Sequence, residues 1–379
     1  MPHIMGDFQI SERLMRYSAF VPRYYNLCRS FGFEDGKIMP SRAFCSDESQ
    51  GYPIILITKH FGTFPFNHGR VGGIVATRRH VAHAQHGQDL VILQASHVGY
   101  DPYAGCFGSY RRLQTESKSY TSACGKISHV LDWYRRQYSF AQKNICFSQI
   151  NGEDVVIVDN QLLDVEREEG LILHLDSLIE MEDGAGPTPT HVFSTSKGFR
   201  VNPALKTRLA ESCWQTGRRE PMGESLTSEL FHFRRNIPKA PEGHDHLELN
   251  LSRSMPDIVT AVFPSLVAAL VNTQIEFDRT YRSIIAEQGY MGKNLAFVSG
   301  INIDISPEED QTFPLTNFVP WAAFIQTKDG RQVLLEQNEL FDTLQSQSTY
   351  NPNQIDLEKA IRTMMATPRL KVESECILS

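Results

Sequence analysis

Two cysteines and one histidine have the clearest potential for chemistry in this sequence. Cys45, His97 and Cys124 each lie beside small or polar residues, where the backbone can approach another part of the chain closely. Zinc prefers thiolate and imidazole ligands in a tetrahedral arrangement, and three protein ligands leave a fourth position for water, an aspartate or a substrate. The residue types therefore predict a Cys/His/Cys zinc site, and a zinc ion with an open position can activate a bound water.

The spacing of these residues leaves a second interpretation open. Their separations match no zinc-finger pattern, so Cys45 can equally be a buried thiol, His97 a turn histidine and Cys124 the cysteine that begins a helix. Cys106, which follows the His97 segment, is the one other cysteine that could replace Cys124 as a ligand. The residues alone do not decide between these alternatives.

Two predicted strands and a predicted helix position the three residues. The segment 42–45 resembles the end of a strand that carries Cys45 at its carboxyl tip. Residues 89–95 form a continuous apolar run, as is typical of parallel strands buried on both faces. His97 is then predicted just past the carboxyl end of that strand, where ligand sites of open α/β sheets gather. A helix is predicted to begin near Cys124.

The chain is predicted to have four parts. They are an N-terminal helical segment at 1–40, a zinc-binding core at 41–182, an insertion or linker at 183–250 that is rich in Gly, Pro, Thr and charge, and C-terminal helices and strands at 251–379 that complete or extend the core. Further strands are predicted at 52–58, 154–163, 294–305 and 319–326, and a helix broken at Pro264 is predicted at 252–287.

An ordered set of short motifs over residues 42–127 resembles a known family. The set consists of Cys45-Ser46-Asp47-Glu48, Phe61-Gly62-Thr63-Phe64-Pro65-Phe66, Gly69 with Gly72-Gly73, His80-Val81, His97-Val98-Gly99 and Ser122-Ala123-Cys124-Gly125. In order and approximate spacing it is similar to the low-CO2-inducible B/C (LCIB/LCIC-like) family, a divergent branch of β-type carbonic anhydrases. The resemblance covers less than a quarter of the chain.

This resemblance implies a metal, a reaction and a fold. Cys45, His97 and Cys124 would hold Zn2+, and Asp47 would be the catalytic acid beside it. A zinc-bound hydroxide would hydrate carbon dioxide reversibly to bicarbonate, which makes these two molecules the expected partners. The implied fold is α/β, a three-layer α/β/α arrangement with a mainly parallel central sheet like that of β-carbonic anhydrases. The implied assembly is a homodimer.

One position departs from the pattern of ordinary β-type enzymes. Those enzymes carry an arginine four residues after the first zinc cysteine, where it pairs with the aspartate, but this chain has Ser49 there. Arg42, Arg70 or Arg79 could supply the guanidinium in space. Without such a partner, Asp47 could itself ligate the metal and close the site.

Two aromatic residues and several histidines are candidates for supporting roles. Phe64 and Phe66 flank Pro65 and could form an apolar wall for a nonpolar gas, although this arrangement is equally common in a simple core. The proton released by hydration could leave through one of four nearby histidines, which are His68, His80, His83 and His86.

Two rival functions use the same site. The first is hydrolysis of carbonyl sulfide or carbon disulfide, which relatives of this fold can perform. The second is non-catalytic, namely a zinc-stabilised protein that binds carbon dioxide or bicarbonate or assists assembly. Ser49 favours this second rival, because it removes the arginine of the ordinary enzymes.

Composition excludes some function classes and indicates a compartment. The net charge of −7 argues against nucleic acid as a partner, since polyanion binders need a cationic surface. No run approaches the length of about 18 apolar residues that a membrane span needs, so no membrane association is expected. Seven cysteines, an odd number, do not form a disulfide framework. We expect a reducing, cytoplasmic location, or an organellar stroma if a leader has been removed.

Overall fold

The computed structural model describes residues 10–75, 89–111, 120–181, 186–210, 213–237, 246–286, 288–308, 311 and 314–366. In chain order, the strands within them are β1 Met15–Arg16, β2 Ile38–Ala43, β3 Phe66–Asn67, β4 Gly69–Arg70, β5 Ile74–Val75, β6 Asp89–Asp101, β7 Cys106–Phe107, β8 Ser109–Arg111, β9 Tyr120–Ser122, β10 Ile145–Ile150, β11 Glu153–Asp159, β12 Gly170–Leu173, β13 His191–Val192, β14 Ser196–Arg200, β15 Glu220–Pro221, β16 Phe231–Arg234, β17 Leu295–Ile305, β18 Leu315–Gln326 and β19 Gln332–Glu336.

The α-helices, again in chain order, are α1 Tyr17–Ser30, α2 Gly51–Phe61, α3 Gly125–Asn144, α4 Asn160–Leu163, α5 Leu175–Leu178, α6 Pro203–Arg208, α7 His246–Leu251, α8 Met255–Thr260, α9 Pro264–Ala286, α10 Gln337–Ser346 and α11 Leu357–Met365. Among the described residues, no helix combines the length and apolar character needed to cross a membrane. The helix predicted at 252–287 is present as α8 and α9, and it is interrupted just before Pro264 as expected.

The central sheet takes its strands from both ends of the chain. Its strand order is β1-β18-β17-β6-β2-β3, with β19 beside β18 and β7 beside β6. β17, β6, β2 and β3 are parallel to one another, whereas β1, β18, β19 and β7 pair antiparallel. The predicted mixed α/β fold with a mainly parallel central sheet is confirmed, and the strands predicted at 294–305 and 319–326 are β17 and β18.

β6 is longer than the sequence predicts, which changes the setting of His97. The strand continues through His97 to Asp101, so the prediction that His97 lies past the strand's end is wrong. β17 pairs with β6 from Leu90 to Tyr100 and places Asn302 opposite His97. Because β17 is far away in the sequence, the local pattern around His97 does not show that a partner strand is available to extend β6.

The two faces of the central sheet pack against different helices. Along β6, Val91, Leu93 and Ala95 belong to a core that contains residues of α1, α2 and α10. Leu90 and Ile92 belong instead to a core that contains residues of α9. This alternation follows from the two-residue period of a strand, and it explains why β6 is apolar on both faces.

A second, antiparallel sheet packs against α3. Its strand order is β13-β14-β11-β10-β15, and Leu131 of α3 shares a core with Phe147 of β10 and Val156 of β11. β13, β14 and β15 come from the segment 183–250. β11 ends at Asp159, short of the predicted strand 154–163, because the Asp159 carboxylate accepts a hydrogen bond from the Gln161 N–H (2.8 Å) and begins α4.

The helix that follows Cys45 corrects a predicted strand. Residues 52–58 are predicted as a strand, but Gly51–Phe61 forms α2. The β-branched residues favour a strand locally. Pro53, however, fits the first turn of a helix, where its missing N–H has no helical partner to lose. Gly62 ends the helix with a φ of 81°. Packing of α2 against α1 therefore overrides the local preference.

Alanine substitutions of two isoleucines distinguish the helix from the predicted strand. In a strand, Ile55 and Ile57 would share one face. In α2, Ile57 is fully buried and Ile55 is 44% exposed. We expect Ile57→Ala to lower the free energy of unfolding by about 2–5 kcal/mol and Ile55→Ala by less than about 1 kcal/mol, as measured by chemical denaturation. Equal losses would contradict the helix.

Candidate metal centre

Cys45 is placed by the parallel part of the central sheet. It follows β2 at the carboxyl end of that strand, as predicted, and its Sγ accepts a hydrogen bond from the Gly72 N–H at 3.2 Å. Gly72 and Gly73 have φ angles of +84° and +74°, and a Cβ on Gly73 would lie 2.4 Å from the Ala95 carbonyl oxygen. Glycine is therefore required for this loop to lie against β6 and bring an N–H to the sulfur.

His97 is fully buried inside β6, and its two ring nitrogens have different surroundings. Nδ1 lies 2.9 Å from the Asp304 Oδ2. Nε2 is inaccessible to solvent and has no hydrogen-bond partner among the described residues. A buried, unsatisfied polar atom is unfavourable by about 1–3 kcal/mol. The Nε2 position therefore indicates an interaction with a group that the described residues do not supply.

Cys124 completes a group of three ligand atoms at the start of α3. Its Sγ lies 3.9 Å from the Cys45 Sγ, and the two sulfurs and a His97 ring nitrogen all lie within 4.8 Å of one another. Cys124 immediately precedes the first residue of α3, as the sequence predicts. No other group of three or more metal-ligating side chains is present in the described part of the chain.

The geometry and the chemistry of this group fit a zinc ion. Two thiolates bound tetrahedrally at 2.3 Å would place their sulfurs roughly 3.8 Å apart, close to the observed 3.9 Å. All three side chains are at most 4% exposed. Soft thiolates with one imidazole favour zinc over magnesium or calcium, which prefer oxygen ligands. The predicted trio therefore comes together as a candidate metal site.

In the absence of a metal, each of the three side chains changes the pKa of the other two. The hydrogen bond between the thiols lowers the pKa of Cys45 and raises that of Cys124, so the pair readily holds one proton and one negative charge. Burial lowers the pKa of His97, but the negative charge shared by the two sulfurs and the Asp304 hydrogen bond outweigh it, and the pKa is raised overall. A metal binds the thiolate and neutral imidazole forms, so any proton on these three side chains is released when it binds.

Asp304 of β17 is a site residue that the sequence analysis missed. Its carboxylate is fully buried, and Oδ2 accepts hydrogen bonds from the Ser49 hydroxyl (2.8 Å) and the Gln50 side-chain amide (2.7 Å) in addition to its contact with His97. Oδ1 accepts a hydrogen bond from the Thr316 hydroxyl at 3.1 Å. The aspartate thus connects His97 with the turn that follows Cys45.

Comparison with solved structures gives a likeness in fold. The chain is similar to the limiting CO2-inducible protein LCIB and to its homologue PtLCIB4. The PtLCIB4 structure has a TM-score of 0.49 and 11% identity, covering 86% of this chain and 96% of that one. The LCIB structure has a TM-score of 0.45 and 12% identity, covering 89% and 100%.

Sequence comparisons add nothing to this likeness, because no protein-family model and no curated protein matches the chain.

Asp47 is half-buried in the loop that carries Cys45. Its Oδ1 accepts a hydrogen bond from the Ser49 N–H at 3.3 Å, which begins the short 3-10 turn Glu48–Gln50. Of the arginines predicted as its partners, Arg42 is partly buried, and burial lowers its pKa. The Arg42 side chain forms no ion pair with a described residue. Arg70 lies on β4, and Arg79 falls outside the described residues.

Tyr110 is a second residue that the sequence analysis missed. Its side chain is 3% exposed on β8. Burial and the negative charges of Asp304 and Asp47 raise the pKa of the Tyr110 hydroxyl, whereas a charge on His97 lowers it. The Tyr110 hydroxyl therefore stays protonated, and the charges of Asp304 and Asp47 both act on it.

The other predicted site residues are not part of the group of three ligands or fall outside the described residues. Phe64 and Phe66 are 69% and 56% exposed, so their role in a pocket stays a prediction. Cys106 is half-buried on β7 and is not part of the ligand group. His68 is buried and contacts the Ser41 hydroxyl, whereas the proton-transfer candidates His80, His83 and His86 lie outside the described residues.

Single substitutions test the metal site. Cys45→Ser, Cys124→Ser and His97→Ala should each lower the zinc content of the purified protein from about one atom per chain to well below half, because each removes one of three ligands. Zinc is measured by mass spectrometry of the digested protein. Cys106→Ser is the control and should keep its zinc. Loss of zinc from that variant, with retention in Cys124→Ser, would show that the wrong cysteine has been assigned.

Proposed function

We propose that this chain is a zinc-dependent carbonic anhydrase that converts carbon dioxide and water reversibly into bicarbonate and a proton. The observation that carries the proposal is the buried Cys45, His97 and Cys124 group with one unpartnered imidazole nitrogen. The resemblance of residues 42–127 to the LCIB/LCIC-like family implies the same ligand set. We also propose that the fold has the three-layer α/β/α arrangement of β-type carbonic anhydrases.

The protein's part in this reaction follows from the site. The two Sγ atoms and the His97 Nε2 would hold the zinc ion. Zinc lowers the pKa of a bound water to about 7, which makes a nucleophile available at neutral pH. Asp47, two residues after Cys45, accepts a hydrogen bond from the attacking water and orients it. The ligands are almost inaccessible to solvent, so the charges of the site act in a medium of low dielectric.

We further propose that a homodimer completes the substrate pocket. Phe64 and Phe66 are largely exposed in the single chain, and Phe66 lies on β3, which among the described residues is the last strand of the central sheet on that side. Exposed aromatic side chains on an edge strand favour association with another surface. A second copy of the chain would cover both rings and turn them into an apolar wall for carbon dioxide.

One observation favours the non-catalytic alternative, a zinc-stabilised protein that binds carbon dioxide or bicarbonate. The Ser49 hydroxyl is buried and donates a hydrogen bond to Asp304, at the position where ordinary β-type enzymes have an arginine for their aspartate. Ser49 therefore cannot bring a positive charge to Asp47. If Asp47 ligates the metal instead, the site is closed to water.

Stopped-flow measurement of carbon dioxide hydration separates the two functions. The zinc-loaded chain should accelerate hydration, and removal of the metal with a chelator should abolish the effect. Asp47→Ala should keep its zinc and lose about 100-fold or more of the activity, because the orienting carboxylate is gone. Asp278→Ala, on the exposed side of α9, is the control and should leave the activity unchanged. A zinc-loaded chain without measurable activity would contradict the enzymatic proposal.

Sedimentation velocity tests the dimer. The chain should sediment as a dimer at micromolar concentration, and the double substitution of Phe64 and Phe66 by serine should shift it toward the monomer, because it removes apolar surface that the second copy covers. Val192→Ser is the control, since Val192 is 72% exposed and lies on β13 of the second sheet. A double variant that stays dimeric would place the interface elsewhere.

A further inference from the structure

We infer that Asp304 is the positioning residue that sets the tautomer and orientation of His97 for metal binding, and that Ser49 serves this aspartate. The inference rests on the proposed function for the identity of the metal. The contacts that carry it come from the protein chain alone. They join three segments that are far apart in the sequence, namely the turn after Cys45, β6 and β17.

The hydrogen bonds around Asp304 determine which nitrogen of His97 carries a proton. The Gln50 side-chain oxygen accepts a hydrogen bond from the Asn302 amide at 2.7 Å, so its nitrogen faces the carboxylate as a donor. Ser49 donates to the same Oδ2. An oxygen that receives these donors acts as an acceptor toward Nδ1 as well. His97 therefore bears its proton on Nδ1, and in the neutral ring the lone pair lies on Nε2.

The direction of that lone pair matches the ligand group. Nε2 is the buried nitrogen without a partner among the described residues, and its ring belongs to the same cluster as the two sulfurs. Histidine ligands of metals commonly donate their other N–H to a carboxylate, which fixes the ring and increases its basicity. Asp304 thus prepares His97 for the metal before the metal arrives.

Ser49 is buried against Asp304, and its hydroxyl is directed at the carboxylate. The residue is 1% exposed, and its hydroxyl lies 2.8 Å from the Asp304 Oδ2 and within hydrogen-bond distance of the Gln50 amide (3.1 Å). Because Ser49 and Gln50 follow Cys45 closely, their bonds to Asp304 fix the distance between the first cysteine and His97. The Ser49 side chain therefore supports the metal ligand His97 through Asp304, and only the Ser49 backbone contacts Asp47.

The test compares two buried aspartates in the same sheet. Asp304→Asn keeps the shape of the side chain but removes its charge and one acceptor oxygen. Asp89→Asn is the matched control. Asp89 is also buried and accepts a hydrogen bond from the Asn294 amide (2.9 Å), but it is the first residue of β6, at the other end of the strand from His97. Zinc affinity is measured by competition with a chromophoric chelator, and the Co2+-substituted protein is examined by absorption spectroscopy.

We expect the zinc dissociation constant of Asp304→Asn to rise about 10- to 100-fold. We also expect its cobalt absorption bands to shift, because the orientation of the imidazole changes. Asp89→Asn should keep the parent's affinity and cobalt spectrum, whatever its melting temperature. A purely structural role for Asp304 would lower the melting temperature and leave the zinc affinity unchanged. That result would overturn the inference.

A milder variant covers the case in which Asp304→Asn does not fold. Ser49→Ala removes one donor and should weaken zinc binding about 2- to 10-fold, because it loosens Asp304 but keeps the carboxylate that contacts His97. Parental affinity in Ser49→Ala would then overturn the inference. The outcome is independent of turnover: a chain that hydrates no carbon dioxide but loses zinc affinity in these variants refutes the proposed function and supports the role of Asp304.

Discussion

The candidate site depends on the parallel pairing of β6 with β17. This register places His97 opposite Asn302 and brings Asp304 to the Nδ1 side of the imidazole ring. Val98 and Ile303 take the opposite face and join the apolar core beside α3. Because side chains alternate along a strand, a slip of one residue would exchange the ligand with an apolar neighbour. The apolar pattern of both strands therefore fixes the candidate metal site as well as the core.

The buried charge of Asp304 explains why so many polar groups converge behind the metal site. An isolated carboxylate in a protein interior is highly unfavourable unless it is paired and hydrogen-bonded. Here Ser49, Gln50 and Thr316 donate to it, and His97 provides the fourth contact. These donors come from three separate segments, so the aspartate is stable only when the fold has brought all of them together. A complete network of this kind also holds the ligands in a single arrangement.

The sequence predicts the ligands better than it predicts their support. Cys45 and Cys124 lie next to the predicted ends of a strand and a helix, and local patterns are strong there. Asp304 is missed because Ser49, Gln50 and His97, its partners in the candidate site, are more than two hundred residues away in the sequence. One signal was present, since Asn302 and Asp304 are polar at alternating positions of an otherwise apolar strand. The strand predicted at 52–58 fails for a related reason: the contact with α1 that selects a helix is not local.

Ser49 changes how Asp47, the aspartate proposed to be catalytic, can be held in position. In ordinary β-type enzymes an arginine at this position is expected to keep the aspartate ionised and away from the metal. Here the Ser49 side chain is committed to Asp304, but its backbone N–H donates to the Asp47 Oδ1 at 3.3 Å. An N–H at the start of a helical turn stabilises a carboxylate and restricts its rotation. The backbone of residue 49 can therefore supply part of the restraint that the arginine side chain provides elsewhere, and Asp47 would remain available to orient water.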